Sequence, residues 1–491
     1  MAIVHLPAEL LARVVAQLAS PEDLGNCDCV HLFHRPPSAV RMALQLRWPT
    51  AKPEASTSQL LLRESQSRAH TRNLAATATF HCALVTKNGQ LSVCGQDDPD
   101  EDNLGPGLLG RLLGLVDGGD PREATIPRAV ALPTVSVHSV AAARSYMLAL
   151  SSDGRVFSCG GGESGQLGLG PDMLRSDTPQ QLVMLPDDVS QIACTEMTSY
   201  ARTVSGHVYS WGHAGFGTLG HTDGLDIDPA DGMLMDPEPT DQWTPKRIEA
   251  LAEVVHFTAG YRCDAFTQTE WLFWGLAENG HLPGKASHAG MAFPRPTTLS
   301  AALAEPLGDR TVCASSSRLL LATDGSVLRV DWPKLYYEDH ETPPAPAFVP
   351  QLRPLASPLG KPVIAVADKS DYTSLVVSQS GHVYMLHFYS EQAFEVDVIQ
   401  PLNTLPLGGA ARRVEQIACS DHLCVMRSDS HSDLWTILCQ HACSPLAIWG
   451  PSAASMRFAL PRFPPPRLAF GFTLTIRLLT IAPPPRVRQH P

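Results

Sequence analysis

One pattern, repeated seven times, constrains this chain more than any other: an apolar run, a turn and a second apolar run. The copies read NGQLSVCG, DGRVFSCG, SGHVYSWG, TEWLFWG, DGSVLRV, SGHVYML and SDLWTI. Their turn positions, Gly89, Gly154, Gly206, Thr269, Gly325, Gly381 and Ser432, lie 51 to 65 residues apart. Five residues after each turn stand Cys94, Cys159, Trp211, Trp274, Val330, Leu386 and Ile437, all apolar. A lone hairpin exposes both its faces to water, so the copies must stack on one another.

The stretch Ser139–Gly170 is the fullest copy. Met147–Leu150 fits one strand, and Asp153-Gly154 reads as a two-residue hairpin turn that needs positive φ. Val156, Phe157 and Cys159 return as the second strand, and Gly160–Gly162 with Gly165–Gly170 break regular structure. Short apolar strands precede most turns (HCALVT, YMLALS, RLLLAT, YTSLVVS, HLCVMR), and others precede those (SVAAA, QIACT, VVHFTAG, VIAVAD, QIACS). Three or four short strands per unit of roughly 50 residues, repeated radially, predict propeller blades. The expected fold is mainly β, a seven-bladed β-propeller over residues 74–450.

SSDGRVFSCGGGESGQLGLG and SGHVYSWGHAGFGTLGH resemble the repeat of the regulator-of-chromosome-condensation family, a DG-V-Y-WG-N-GQLG-G pattern. The units with turns at 325, 381 and 432 lack the WG and GQLG parts. The resemblance implies a propeller whose loops bind other proteins.

Residues 5–48 read as three short helices. Leu10, Leu11, Val14, Val15 and Leu18 form one apolar stripe at helical spacing. Ser20 and Pro21 look like an N-cap and first helical position, and Pro36-Pro37 ends that helix. A third helix is expected over Ala39–Trp48. Leu6, Pro7, Glu9, Leu10, Leu11, Val14, Val15, Leu18, Asp23, Leu24, Val30 and Phe33 resemble the F-box pattern, although HLFHRPP replaces its usual basic-aromatic segment. The resemblance implies an adaptor-binding surface made by Leu6, Pro7, Leu10, Leu11, Val14, Leu18 and Leu24. Residues 49–73 read as a linker with one short helix, Ser58–Arg68. Residues 451–491 are rich in Pro and Arg, contain no acid and are expected to be a disordered tail.

The chain of 491 residues carries a net charge of −12, which excludes broad nucleic-acid affinity through phosphate neutralisation. Its 12 cysteines form no CxxC pair. Cys94 and Cys159 occupy a repeat position held elsewhere by Trp211 and Trp274, and Cys194 and Cys419 share another. Cysteine alternating with apolar residues at a repeat position is a core thiol, so no structural disulfide is expected, and a reducing compartment, cytoplasm or nucleus, is. MAIVHLPAEL is not a secretory signal, and Leu468–Ala482, interrupted by Arg477, is too short to span a bilayer, so no membrane partner is expected.

No enzymatic constellation appears. Gly215-x-Gly217-x-x-Gly220 formally matches a dinucleotide fingerprint, but acidic HTDGLDIDP follows it and the repeat accounts for its glycines. Asp226, Asp228 and Asp231 lack calcium-loop spacing. Cys439, His441 and Cys443 crowd three ligands into five residues, poor geometry for a metal. The acidic runs 97–102 and 222–236 and the Pro-rich stretch 333–362 read as long connections. No cofactor or metal is therefore expected. The two resemblances together imply the substrate-recognition subunit of a cullin-type (SCF) ubiquitin ligase, with the ligase adaptor on the F-box-like module and a protein substrate on the propeller. A propeller scaffold without ligase links, and a guanine-nucleotide exchange factor for a small GTPase, stay open beside it.

Overall fold

The computed structural model describes residues 39–42, residue 57 and most of the stretch from 73 to 449, without interruption over 135–221 and 241–260. The described residues are mainly β and build a propeller of four-stranded antiparallel sheets. The first sheet holds β1 (Ala75–Thr77), β2 (His81–Val85), β3 (Leu91–Gly95) and β4 (Arg128–Ala129). The second holds β5 (Val137–Ala142), β6 (Tyr146–Ser151), β7 (Val156–Gly161) and β8 (Arg175–Gln181). The third holds β9 (Val189–Cys194), β10 (Thr198–Thr203), β11 (Val208–Gly212) and β12 (Gln242–Arg247). The fourth holds β13 (His256–Thr258), β14 (Arg262–Phe266), β15 (Trp271–Leu276) and β16 (Ala292–Thr298). The fifth holds β17 (Val312–Ser315), β18 (Leu319–Ala322), β19 (Val327–Asp331) and β20 (Gln351–Pro354). The sixth holds β21 (Val363–Ser370), β22 (Thr373–Ser378), β23 (Val383–Phe388) and β24 (Val396–Ile399). The seventh holds β25 (Val414–Cys419), β26 (Leu423–Ser428), β27 (Leu434–Cys439) and β28 (Pro445–Trp449).

Every sheet is one uninterrupted stretch of chain, its strands paired in sequence order. The second strands are the most deeply set: β2, β6, β10, β14, β18 and β22 are buried along their whole length, including the polar residues of TSYART in β10 and RCDAF in β14. They sit between two ladders with a packed neighbour on either side, which suits near-continuous apolar runs. Adjacent sheets share cores: Leu148, Leu150, Ile192 and Trp211 join the second to the third, and Tyr200, Phe257, Cys263 and Trp274 the third to the fourth. Val425 of β26 lies in one cluster with Leu74, Ala83 and Leu84, so the seventh sheet packs against the first.

The hairpins correct one expectation. Ser151 N–H donates to the Arg155 carbonyl (2.8 Å) and Gly154 N–H to the Ser151 carbonyl (3.1 Å). The loop therefore has three residues, a type I turn closed by a left-handed glycine, not the two-residue turn read from Asp-Gly. Thr86–Gln90, Thr203–His207, Ala322–Ser326 and Ser378–His382 repeat both bonds, with φ of 74° to 85° at Gly89, Gly206, Gly325 and Gly381. Only the hairpin joining β14 to β15, closed by Thr267 N–H to the Glu270 carbonyl at 2.9 Å, has two loop residues among these.

A second correction concerns 333–362, read as a connection: β20 lies inside it and pairs with β19. The outermost strands were hard to see because RSDTPQQ, QWTPKR, AFPRPTT and QLRP are polar and carry proline, which an edge strand tolerates. Of the helical module 5–48, residues 39–42 are described and helical, with Ala39 and Val40 buried. The rest of that module, nearly all of the 49–73 linker, the runs 97–102 and 222–236, and the tail 451–491 lie outside the described residues.

Candidate interaction faces

Up-and-down strand order puts connections at two ends of every sheet. One end carries the links from first to second and from third to fourth strand; we call it the loop face. The other carries the hairpin turns and the passages between sheets; we call it the hairpin face.

On the loop face, the glycine-rich segments act as latches. Gly165–Gly168 and Gly217–Gly220 each offer two consecutive carbonyls. Ser158 Oγ–H donates to the Leu167 carbonyl of its own sheet at 2.7 Å, while Trp211 Nε1–H (2.9 Å) and Ser199 Oγ–H (2.7 Å) of the next sheet donate to the Gln166 carbonyl. One unit later, Ser210 Oγ–H donates to the Leu219 carbonyl at 2.6 Å, and Trp274 Nε1–H and Tyr200 O–H both reach the Thr218 carbonyl at 2.7 Å. The indole must come this close, so a Cβ at Gly168 would lie 2.7 Å from Trp211 Nε1. The dinucleotide-like glycines thus belong to a latch, and Gly215–Gly217 form a single 3-10 turn. Outside the latches this face exposes Met173, Leu174 and Met197, with the ion pair Arg144–Glu196 (3.6 Å) and a hydrogen bond between His213 Nδ1 and Asp241 Oδ1 (2.9 Å).

On the hairpin face, each turn glycine seats on the next passage. Val137, Val189, Val254, Val363 and Val414 N–H donate to the carbonyls of Gly89, Gly154, Gly206, Gly325 and Gly381 at 2.8 to 3.2 Å. His207 and His382 share one arrangement, Nδ1 beside the hydroxyl of Ser205 (3.1 Å) or Ser380 (2.7 Å). They are half-buried turn residues, and burial holds the His207 pKa below its ordinary value.

The ionisable groups inside are structural. Burial pushes the thiols of Cys159, Cys263 and Cys313 up to about 12. Tyr146 and Tyr200 are raised well above 10 by burial, and their hydroxyls donate to the Thr198 and Thr218 carbonyls. The seven described cysteines whose state is defined are free, including Cys82 and Cys94 with Sγ atoms 3.1 Å apart on facing strands. Arg262 and Asp264 form a buried pair at 3.0 Å, and Trp271 Nε1–H donates to the same carboxylate at 2.8 Å. Among the described residues no group of three or more His, Cys, Asp or Glu could hold a metal, and no helix is long and apolar enough to cross a membrane. Leu6, Pro7, Leu10, Leu11, Val14, Leu18 and Leu24 all lie outside the described residues, so the structure neither assembles nor separates them.

Latched sheets with two loop-bearing faces define a repeat-built β-propeller. Residues 153–201 and 205–265 match the family model of the Regulator of chromosome condensation (RCC1) repeat, so this part of the chain is made of RCC1 repeats. Each match runs from the third strand of one sheet to the second strand of the next, so a repeat ties two sheets covalently. Among curated relatives, the human E3 ubiquitin-protein ligase HERC2 is 27% identical over 72% of this chain and 7% of its own length. The mitochondrial RCC1 domain-containing protein RUG3 of Arabidopsis thaliana is 31% identical over 42% of each chain. The chain therefore spans less than half the length of these relatives. Among solved structures, yeast RCC1 (Prp20) bound to Kap60 aligns with a TM-score of 0.49 and 18% identity, covering 70% of this chain and 77% of that one. Human WBSCR16 aligns with a TM-score of 0.48 and 17% identity, covering 72% and 86%.

Proposed function

We propose that the chain is a non-enzymatic protein-interaction module, the substrate-recognition subunit of a cullin-type ubiquitin ligase. The F-box-like module docks on the ligase adaptor through Leu6, Pro7, Leu10, Leu11, Val14, Leu18 and Leu24, and the propeller presents a protein substrate. The carrying observation is a scaffold of latched sheets that displays loops on two faces; such scaffolds suit recognition. The F-box pattern in residues 5–48 supports the ligase link, and so does the name of the HERC2 relative, itself a ubiquitin ligase. We read the seven four-stranded sheets as the seven blades of one ring, supported by their chain-order packing. Free buried thiols support a cytoplasmic or nuclear setting.

The test is co-expression with the ligase adaptor. The full chain should co-purify with it, and the double change Leu10→Ala, Leu11→Ala should abolish that while the melting transition of the propeller stays. If the unaltered chain captures no adaptor, the ligase reading fails and a scaffold without ligase links replaces it.

A further inference from the structure

The passages after the second and third sheets are backbone twins. Leu182 and Ile248 N–H donate to the carbonyls of Val156 and Val208 at 2.8 Å, and Leu185 and Leu251 N–H donate back to Leu182 and Ile248. In both, the first and fourth side chains are buried and the middle two point outward. The outward pair is Glu249-Ala250 in one and Val183-Met184 in the other. The same backbone carries Glu and Ala, so the turn does not require apolar residues there. Val183 and Met184 nevertheless stand 78% and 63% exposed, the two most exposed large apolar side chains among the described residues.

The surroundings decide what such a pair would bind. Asp187 and Asp188 follow in the same passage, and both are exposed. Asp153 stands on the adjoining hairpin turn, whose Gly154 packs against the Asp187 carbonyl. Glu249 and Glu253 come from the twin passage next door. The basic groups are Arg155, paired with Asp153 at 2.6 Å, and Arg247, paired with Glu249 at 3.5 Å. The rim is therefore negative, which attracts Lys and Arg and repels acidic peptides and anionic lipid surfaces.

We infer that Val183 and Met184, on the hairpin face of the second sheet, dock a segment of a partner protein that sets a large apolar side chain beside Lys or Arg. This rests on reading the chain as a protein-interaction module, but not on the adaptor, so either test can fail without the other. The experiment pans a phage-displayed library of random short peptides on the full chain, then measures the recovered consensus peptide by fluorescence anisotropy. The expected consensus places Lys or Arg next to Leu, Ile, Phe or Met. Val183→Ser with Met184→Ser should weaken its binding by about tenfold or more, as loss of a central apolar anchor does. Asp187→Asn with Asp188→Asn should flatten the salt dependence. Met173→Ser with Leu174→Ser, on the loop face, should leave binding unchanged. All these positions are exposed, and an unshifted melting transition certifies the fold. The inference is overturned by no consensus, by a consensus without basic residues, or by binding indifferent to the change at 183 and 184.

Discussion

Two glycine-to-alanine changes separate the conformational cost of a turn from the cost of its seat. Gly206 has φ of 85° and Gly170 has φ of 98°, both in the left-handed region. An alanine at either position costs about 1–2 kcal/mol in backbone energy, offset in part by about 0.4–1 kcal/mol from restricting the unfolded chain. Those terms cancel between the two variants. The surroundings do not cancel. A Cβ at Gly170 meets nothing within 4 Å, whereas at Gly206 it would lie 2.6 Å from Val254 N and 2.7 Å from Glu253 C. Both of these are backbone atoms of the next passage and cannot rotate away. Relief must lengthen the Val254-to-Gly206 hydrogen bond of 3.1 Å, at about 0.5–1.5 kcal/mol, and shift packing at about 1–3 kcal/mol. Gly206→Ala should therefore cost about 2–4 kcal/mol more than Gly170→Ala. Urea unfolding of both variants beside the parent chain measures the difference. Equal losses would refute the claim that the hairpin glycines are seated on their neighbours.

Three further outcomes follow from the latches, the buried pair and the thiols. Trp211→Phe removes an indole donor, but the Gln166 carbonyl keeps Ser199, so the loss should stay near 1–2 kcal/mol in urea unfolding; Trp211→Ala should cost about 3–5 kcal/mol. Asp264→Asn leaves the buried Arg262 guanidinium without its carboxylate and should cost about 3–5 kcal/mol by the same measurement; a change under 1 kcal/mol would mean the pair is solvated. Thiols of Cys159, Cys263 and Cys313 are raised to about 12 in the folded chain, against about 8.5 when unfolded. Their raised pKa contributes stability that is fully present below about 8.5 and is lost as pH climbs toward 12. The urea midpoint should fall between pH 8 and pH 10, and by less in Cys159→Val.

The hairpins were legible because their constraints are local: apolar runs on both sides of a glycine. Turn length was not, because Asp-Gly suits both a two-residue turn and the end of a three-residue loop, and only the Ser151–Arg155 bond separates them. The polar outer strands hid because an edge ladder asks little of its side chains. The Val183-Met184 pair hid for the opposite reason. Leu-Val-Met-Leu reads as one buried run, and only the reversal from Leu182 to Leu185 turns its middle outward. The latching tryptophans stood out as apolar repeat positions, but their indole N–H partners lie one unit away and needed the fold.

Strand order also sets how this molecule would yield to mechanical load. Among the described residues no sheet borrows a strand from another, so the first and seventh sheets meet through side chains such as Ala83 and Val425, without a shared ladder. A dry side-chain seam parts under less tension than a ladder loaded along its strands. Stretched by its ends, the chain should open there first, then shed sheets singly. The staggered repeats would resist longest, because Trp211 and Trp274 hold each released sheet to the loop before it. A force trace would then rise toward the middle of the chain, with the stiffest steps at the second, third and fourth sheets.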